Sequence, residues 1–119
     1  MKILFVDDNE LNRIVMEDMI SLILEDAEVT VCESAQEVLG LQGLMDYNII
    51  LSDIDMPDID GLMLYTILRK EKNITVPIIA VTALAVNGDK EKMLMHGFTD
   101  YISKPVDMSL LEEMLKKYI

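Results

Sequence analysis

The sequence predicts an α/β protein, a doubly wound five-stranded parallel sheet, from three observations. Short apolar runs alternate with longer stretches of helical periodicity five times along the chain. The first, third and fourth of these runs are apolar almost throughout, as strands covered by helices on both faces must be. No Pro/Gly/Ser-rich linker, repeat or low-complexity segment divides the 119 residues, so residues 1–119 are expected to form one domain.

Each element follows from its local pattern. "KILFV" (2–6) reads as the first strand; Leu11, Ile14, Val15, Met19, Leu22 and Ile23 then recur at helical spacing and mark an amphipathic helix. "EVTVC" (28–32) alternates, as an edge strand does, and "SAQEVLGL" follows as a helix opened by Ser34 with Glu37 three residues on. "NIIL" (48–51) is the third strand, followed by a helix through "LMLYTILRK". "PIIAV" (77–81) is the fourth, entered through Pro77, and a helix around 87–96 ends where Gly97 suits a C-terminal cap. "DYIS" (100–103) is the fifth strand and "SLLEEMLKKY" the last helix, with Glu112 and Glu113 four residues before Lys116 and Lys117.

The totals exclude several function classes. Half of the chain is hydrophobic (51%), too much for a disordered tail, yet the longest apolar-rich run, "VPIIAVTALAV", is shorter than the roughly 18 residues of a membrane span. The start "MKILFVDD" reaches aspartates at once and does not read as a secretion signal, so a cytoplasmic, soluble protein without membrane insertion is expected. Twenty-two acids against ten bases give a net charge of -12, which repels a phosphate backbone and argues against direct nucleic-acid binding. Cys32 and His96 are each the only residue of their type, which leaves no disulfide framework, zinc constellation or histidine triad. His96 reads as a solvated helix-end residue and Cys32 as structural.

The chemistry lies at the ends of the predicted strands. The first runs into Asp7 and Asp8, the third into Asp53, the fourth into Thr82 and the fifth into Lys104. Parallel strands place their carboxyl ends on one edge, where ligands of open α/β sheets bind, so these scattered residues should converge. Taken singly, each acid would serve as well to cap the helix after it. Together they repel: at ~4 Å and an effective dielectric near 20, each unit-charge pair costs about 4 kcal/mol. One lysine cannot neutralise three carboxylates, whereas a hard divalent cation with oxygen ligands can, and Mg²⁺ also bridges to phosphoryl oxygens. An aspartate so placed can itself become a nucleophile and form an acyl phosphate. The stretch "DIDMPDIDG" beyond the third strand adds Asp55, Asp58 and Asp60; Asp58 reads as solvated and Asp60, before Gly61, as a cap for the next helix. An EF-hand does not fit, because with Gly61 sixth the first position is Met56 and the twelfth Ile67, and no P-loop is present.

"VDDN" after the first strand, "DIDMPDIDG" after the third, "VTA" after the fourth and "YISKP" around the fifth resemble, in combination and over Lys2 to Ile119, the receiver domain of bacterial two-component response regulators. The resemblance implies a flavodoxin-like (βα)5 fold with strand order 2-1-3-4-5. It implies that Asp53 is the phosphoacceptor, Asp8 a direct Mg²⁺ ligand, Asp7 an acid that holds the metal through water, and Asp55 a ligand through its backbone carbonyl. Thr82 matches the switch hydroxyl, Ala83 the residue lending a backbone N–H to the phosphoryl group, Tyr101 the switch aromatic and Lys104 the phosphoryl-binding lysine. Pro105 follows Lys104 in a peptide bond that is usually cis in the family. The implied partners are a histidine kinase or histidine phosphotransfer protein as donor, and a downstream protein that reads the face of helix four, strand five and helix five; Met93, Met95 and Met108 lie near that face, although the ten methionines read first as core filler and helix formers and only then as a binding surface. The implied activity is self-catalysed phosphorylation and dephosphorylation, a signalling role and not that of an enzyme.

Two positions that bear on phosphoryl lifetime in the family hold Asp55 and Leu84 here. "DID" after an apolar strand also resembles the first motif of haloacid-dehalogenase-type phosphatases, with Asp53 as nucleophile and Asp55 as general acid, although Pro57 stands where that family has Thr or Val. A third reading is a receiver-like module that binds partners without being phosphorylated. The stretch from "VTALAV" to "SKPVD" is closer to stand-alone or phosphorelay receivers, and the chain is expected to be either such a receiver or one taken from a larger regulator or hybrid kinase.

Overall fold

The computed structural model describes residues 1–83 and 89–118. Its elements are β1 (Lys2–Val6), α1 (Glu10–Ile23), β2 (Glu28–Cys32), α2 (Ala35–Leu39), β3 (Ile49–Asp53), α3 (Gly61–Thr66), β4 (Ile78–Thr82), α4 (Asp89–His96), β5 (Asp100–Ser103) and α5 (Met108–Lys117). The five strands form one parallel sheet ordered β2-β1-β3-β4-β5, the predicted doubly wound arrangement. β3 and β4 each extend to their polar end residue, so Asp53 and Thr82 belong to the strands themselves.

The alternation of side chains along the inner strands builds two cores. Leu4, Val6, Ile50, Ile78 and Ala80 pack on one face under α2, α3 and α4; Ile3, Phe5, Ile49, Leu51, Ile79 and Val81 pack on the other under α1 and α5. Burial on both faces explains why residues 3–6, 49–51 and 78–81 of these strands are all apolar. Asn9 opens α1, its side chain accepting Asn12 N–H at 3.0 Å, and Ser34 caps α2 by accepting Glu37 N–H at 3.1 Å. Asp107 caps α5, accepting Leu110 N–H at 3.1 Å. α3 widens into a π-helical turn over Ile67–Glu71, closed by Lys72 N–H on the Ile67 carbonyl at 3.0 Å. Gly97, at φ +126°, follows α4, and its N–H donates to the Met93 and Leu94 carbonyls as a C-terminal cap should. Tyr118, just beyond α5, donates its hydroxyl to Asp100 at 2.7 Å and ties the last helix to the start of β5.

Two expectations are corrected, for α1 and for His96, while Met93 takes the core place expected of the methionines. The apolar spacing of α1 predicts that Leu11, Ile14, Val15 and Leu22 belong with its inner face, yet they are 66%, 52%, 46% and 73% exposed, and the sheet is covered instead by Met16 and Ile20 with Met19 and Ile23 beside them. The helix carries two adjoining apolar stripes, and only one can face the sheet. Met93 is buried in the core under α4, whereas Met95 and Met108 are exposed. His96 is exposed but not merely solvated: its Nε2 lies 3.2 Å from the Leu62 carbonyl and 3.3 Å from Thr66 Oγ1, linking α4 to α3. Cys32 is buried, and burial pushes its thiol up to about 12, which leaves it inert.

Gly61 connects fold to site. Its N–H donates to the Ile54 carbonyl at 2.9 Å, and a Cβ there would run into the Asp53 carbonyl oxygen and lie 2.8 Å from Ile54 Cα. The constraint is close backbone approach, with no side chain able to swing away. Gly61→Ala is therefore expected to lower unfolding free energy by about 2–3 kcal/mol, read from the denaturant midpoint at constant m-value.

Candidate functional site

Strand register brings the site together. β1 and β3 pair Val6 with Ser52, so the next residues on each, Asp7 and Asp53, stand side by side at the carboxyl edge. β4 pairs Val81 with Asp53 and β5 pairs Ser103 with Thr82, which carries Lys104 to the same edge. The ladder continues past the strand ends, with Asp7 N–H on the Cys32 carbonyl at 3.1 Å and Lys104 N–H on the Thr82 carbonyl at 2.8 Å. Both site residues are thereby fixed by backbone as well as side chain.

Carboxylate oxygens of Asp7, Asp8 and Asp53 lie within 4.8 Å of one another. Asp7 and Asp53 are 0% and 4% exposed, and Asp8 lies at the open rim. Lys104 Nζ bridges the buried pair, 2.8 Å from Asp7 Oδ2 and 3.1 Å from Asp53 Oδ1. Asp53 Oδ1 also accepts Ile54 N–H at 2.9 Å, so its rotamer is held from two sides. Burial, and then the neighbouring Asp7 charge, push the Asp53 carboxyl up to about 6, against the opposing pull of Lys104 and Ile54 N–H. For Lys104, burial pulls the other way, but the hydrogen bond it donates to Asp7 and the charge of Asp53 outweigh it and raise the ammonium above its ordinary value. The pocket is thus short of positive charge even with its lysine in place, and three converging carboxylates with an open rim fit a hard divalent cation.

The remaining predicted residues fall around this centre. Thr82 is the buried last residue of β4, and Ala83 follows it at the surface. Tyr101 is half-buried on β5 and lines a cavity of about 570 Å³ with Lys90, Leu110, Glu113 and Met114, on the side of α4 and α5. The Lys104–Pro105 peptide bond is cis. Asp60 caps α3, its Oδ1 accepting Met63 N–H at 2.8 Å, and Asp58 is exposed at φ +68°. Asp55 is exposed and stands outside the carboxylate group, and Leu84 lies outside the described residues.

Sequence reasoning missed three residues of α1 and its approach. Asn9 N–H donates to Asp7 Oδ1 at 2.9 Å, Asn12 Nδ2 to Asp7 Oδ2 at 3.2 Å, and Arg13 Nη1 to the Asp7 carbonyl at 2.8 Å. The available signal was the spacing "DDNELNR": the first turn of a helix that starts three residues after a strand-end acid points back at that acid.

The comparisons agree with this geometry. The chain matches the response regulator receiver domain family over residues 3–116. It is 36% identical over 99% of its length to the signal transduction histidine-protein kinase BarA of Escherichia coli, of which it spans 13%, and 34% identical over 98% of its length to the polar-differentiation response regulator DivK of Brucella ovis, of which it spans 94%. Among solved structures, the receiver domain of sensor histidine kinase PA1611 from Pseudomonas aeruginosa superposes with a TM-score of 0.81 at 31% identity, covering 98% of this chain and 95% of that one; it holds a magnesium ion in its active-site cleft. The haloacid-dehalogenase alternative is not supported: the match is to receivers, and Asp55, its required general acid, is exposed and apart from the converging carboxylates.

The raised Asp53 carboxyl has a consequence for stability. A folded-state value of about 6 above the ordinary 3.8 means the native protein holds a proton that the unfolded chain releases, so this group costs stability progressively as pH rises between those values, and fully above them. Asp53→Asn removes that cost and keeps the acceptor for Ile54 N–H. In EDTA the variant is expected to melt roughly 10 °C above wild type at pH 7 and to converge with it toward pH 4, as followed by circular dichroism.

Proposed function

The chain belongs to the response regulator receiver domain family, and from that premise we propose that residues 1–119 work as one receiver domain in which Asp53 accepts a phosphoryl group from a phosphohistidine. The observation that carries this reading is the buried Asp7–Lys104–Asp53 bridge beside exposed Asp8, a nucleophile, a cation and spare carboxylates in one pocket. A carboxylate oxygen of Asp53 forms the bond to phosphorus while the P–N bond breaks and its electron pair returns to the imidazole. Lys104, already beside Asp53, pairs with a phosphoryl oxygen, and Ala83, at the surface after β4, lends its N–H to another. Asp7, Asp8, Asp53 and the Asp55 carbonyl would hold Mg²⁺, which when bound neutralises charge gathering on the transferred phosphoryl group. The chemistry is then the domain's own, and the protein a cytoplasmic signalling phosphoprotein that turns over no external substrate.

Charge-assisted hydrogen bonds from Thr82 and Lys104 to the phosphoryl group, worth roughly 1.5–3 kcal/mol each, shift a two-state equilibrium by tens to hundreds fold. Half-buried Tyr101 lines the 570 Å³ recess on the α4–β5–α5 side, and its movement inward would alter the face that a downstream protein reads. The donor, a histidine kinase or histidine phosphotransfer protein, must bring its histidine to the rim of this pocket. The exposed stripe Leu11, Ile14, Val15 and Leu22 of α1 runs from that rim and continues, through a recess of about 210 Å³, to Pro105 and Val106 beside Lys104. That stripe fits an apolar helix face of the donor.

Two experiments test these assignments. With acetyl phosphate, wild type is expected to incorporate one phosphoryl group in Mg²⁺ and none in EDTA, and Asp53→Asn none in either, by intact-mass spectrometry; labelling of Asp53→Asn would remove the assignment. Val15→Glu is expected to keep labelling by acetyl phosphate while slowing transfer from a cognate phosphohistidine protein at least about tenfold, since a charge then sits in the apolar contact.

A further inference from the structure

Asn12 is unused by the reaction described above. It is half-buried in the first turns of α1, and its Nδ2 donates to Asp7 Oδ2, the oxygen that Lys104 also holds. Asp7 Oδ1 is taken by Asn9 N–H and the Asp7 carbonyl by Arg13, so the donors around this buried acid come from α1 and from Lys104. The two partners of Oδ2 differ in kind. Lys104 is a cation on a flexible stem, shared with Asp53. Asn12 is a neutral donor on a rigid helix whose start is fixed by Asn9.

On the reading that the acids hold Mg²⁺ and that Lys104 turns toward the phosphoryl group, we propose that Asn12 is a positioning residue that keeps the Asp7 carboxylate directed at the metal when Lys104 leaves it. Neutrality matters: a cation at position 12 would oppose the divalent ion, and an apolar side chain would leave a buried carboxylate oxygen short of a donor. Partners of metal-holding carboxylates commonly change affinity by about 10–100-fold when removed, and a side-chain bond of 3.2 Å in a half-buried setting belongs at the lower end.

Asn12→Leu is the direct test, because leucine matches asparagine in shape, favours helix and removes the side-chain amide that donates to Asp7. Titration with Mg²⁺ alone, followed by the NMR shifts of the Asp8 and Asp53 amides, is expected to give a dissociation constant about tenfold above wild type. Asn12→Gln, which keeps a donor, is expected to recover part of the loss. Labelling by acetyl phosphate should be slow at low Mg²⁺ and reach the wild-type rate at saturation, a pattern that a merely structural side chain would not produce. If Asn12→Leu binds Mg²⁺ within twofold of wild type while Asp53→Asn stays unlabelled, this inference falls and the phosphoacceptor reading stands; a wild type that binds no Mg²⁺ overturns both. Should Asn12→Leu fail to fold, Asn12→Ala carries the same titration and the same criterion.

Discussion

Everything at the carboxyl edge of the sheet is organised by one interaction: two buried carboxylates, Asp7 and Asp53, sharing the ammonium of Lys104. At an effective dielectric near 20, a like pair and an opposite pair at ~4 Å each involve about 4 kcal/mol, so two attractions more than offset one repulsion. Burial decides the remainder. Removing charge from water is costly enough that Asp53 still titrates high despite the lysine, and Asp8 adds a further negative charge at the rim. With three converging carboxylates against one lysine, the pocket is short of positive charge, a setting that fits a divalent cation.

Holding that arrangement falls to backbone more than to side chains. Asp7 and Asp53 occupy consecutive places on neighbouring strands, and no rotamer choice could separate them without breaking register. The loop after Asp53 is fastened by Gly61, whose N–H and bare Cα let α3 start against the Asp53 carbonyl. Behind Lys104, the Tyr118–Asp100 hydrogen bond fixes α5 to the first residue of β5. The fold thus applies its rigidity on the nucleophile side and leaves the α4–β5–α5 side with a cavity beside Tyr101.

The parts of this design that follow a period or an end were legible in the sequence. Solid apolar runs gave the inner strands, and the polar residue ending each run gave Asp7, Asp53, Thr82 and Lys104, because parallel strands finish on one edge. Ser34, Asp60 and Gly97 were readable as caps for the same local reason. What was not legible depends on phase. Helical spacing in α1 is satisfied by either of two adjoining stripes, and only packing against Phe5 and Ile3 selects Met16 and Ile20 over Leu11, Val15 and Leu22. Met93 and Met95, two residues apart, fall on opposite sides of that same kind of decision. Asn12 was hidden because asparagine near a helix start reads as a cap, and its contact with Asp7 becomes visible only when α1 is placed against the edge.

The exposed stripe of α1 and Asn12, which donates to the buried acid Asp7, belong to one helix, and on the proposed reading that juxtaposition would link recognition to chemistry. Leu11 and Val15 face outward while Asn12, between them in sequence, faces Asp7, and the 210 Å³ recess is bounded by all three together with Lys104. A donor protein seated on this stripe would press on the segment that orients the first acid of the pocket, with its histidine arriving over Asp53. On the same reading, small phosphodonors would reach the pocket without seating on the α1 stripe. The difference in rate between the two kinds of donor therefore measures what the helix adds beyond proximity, and a helix that served only as a handle would add proximity alone.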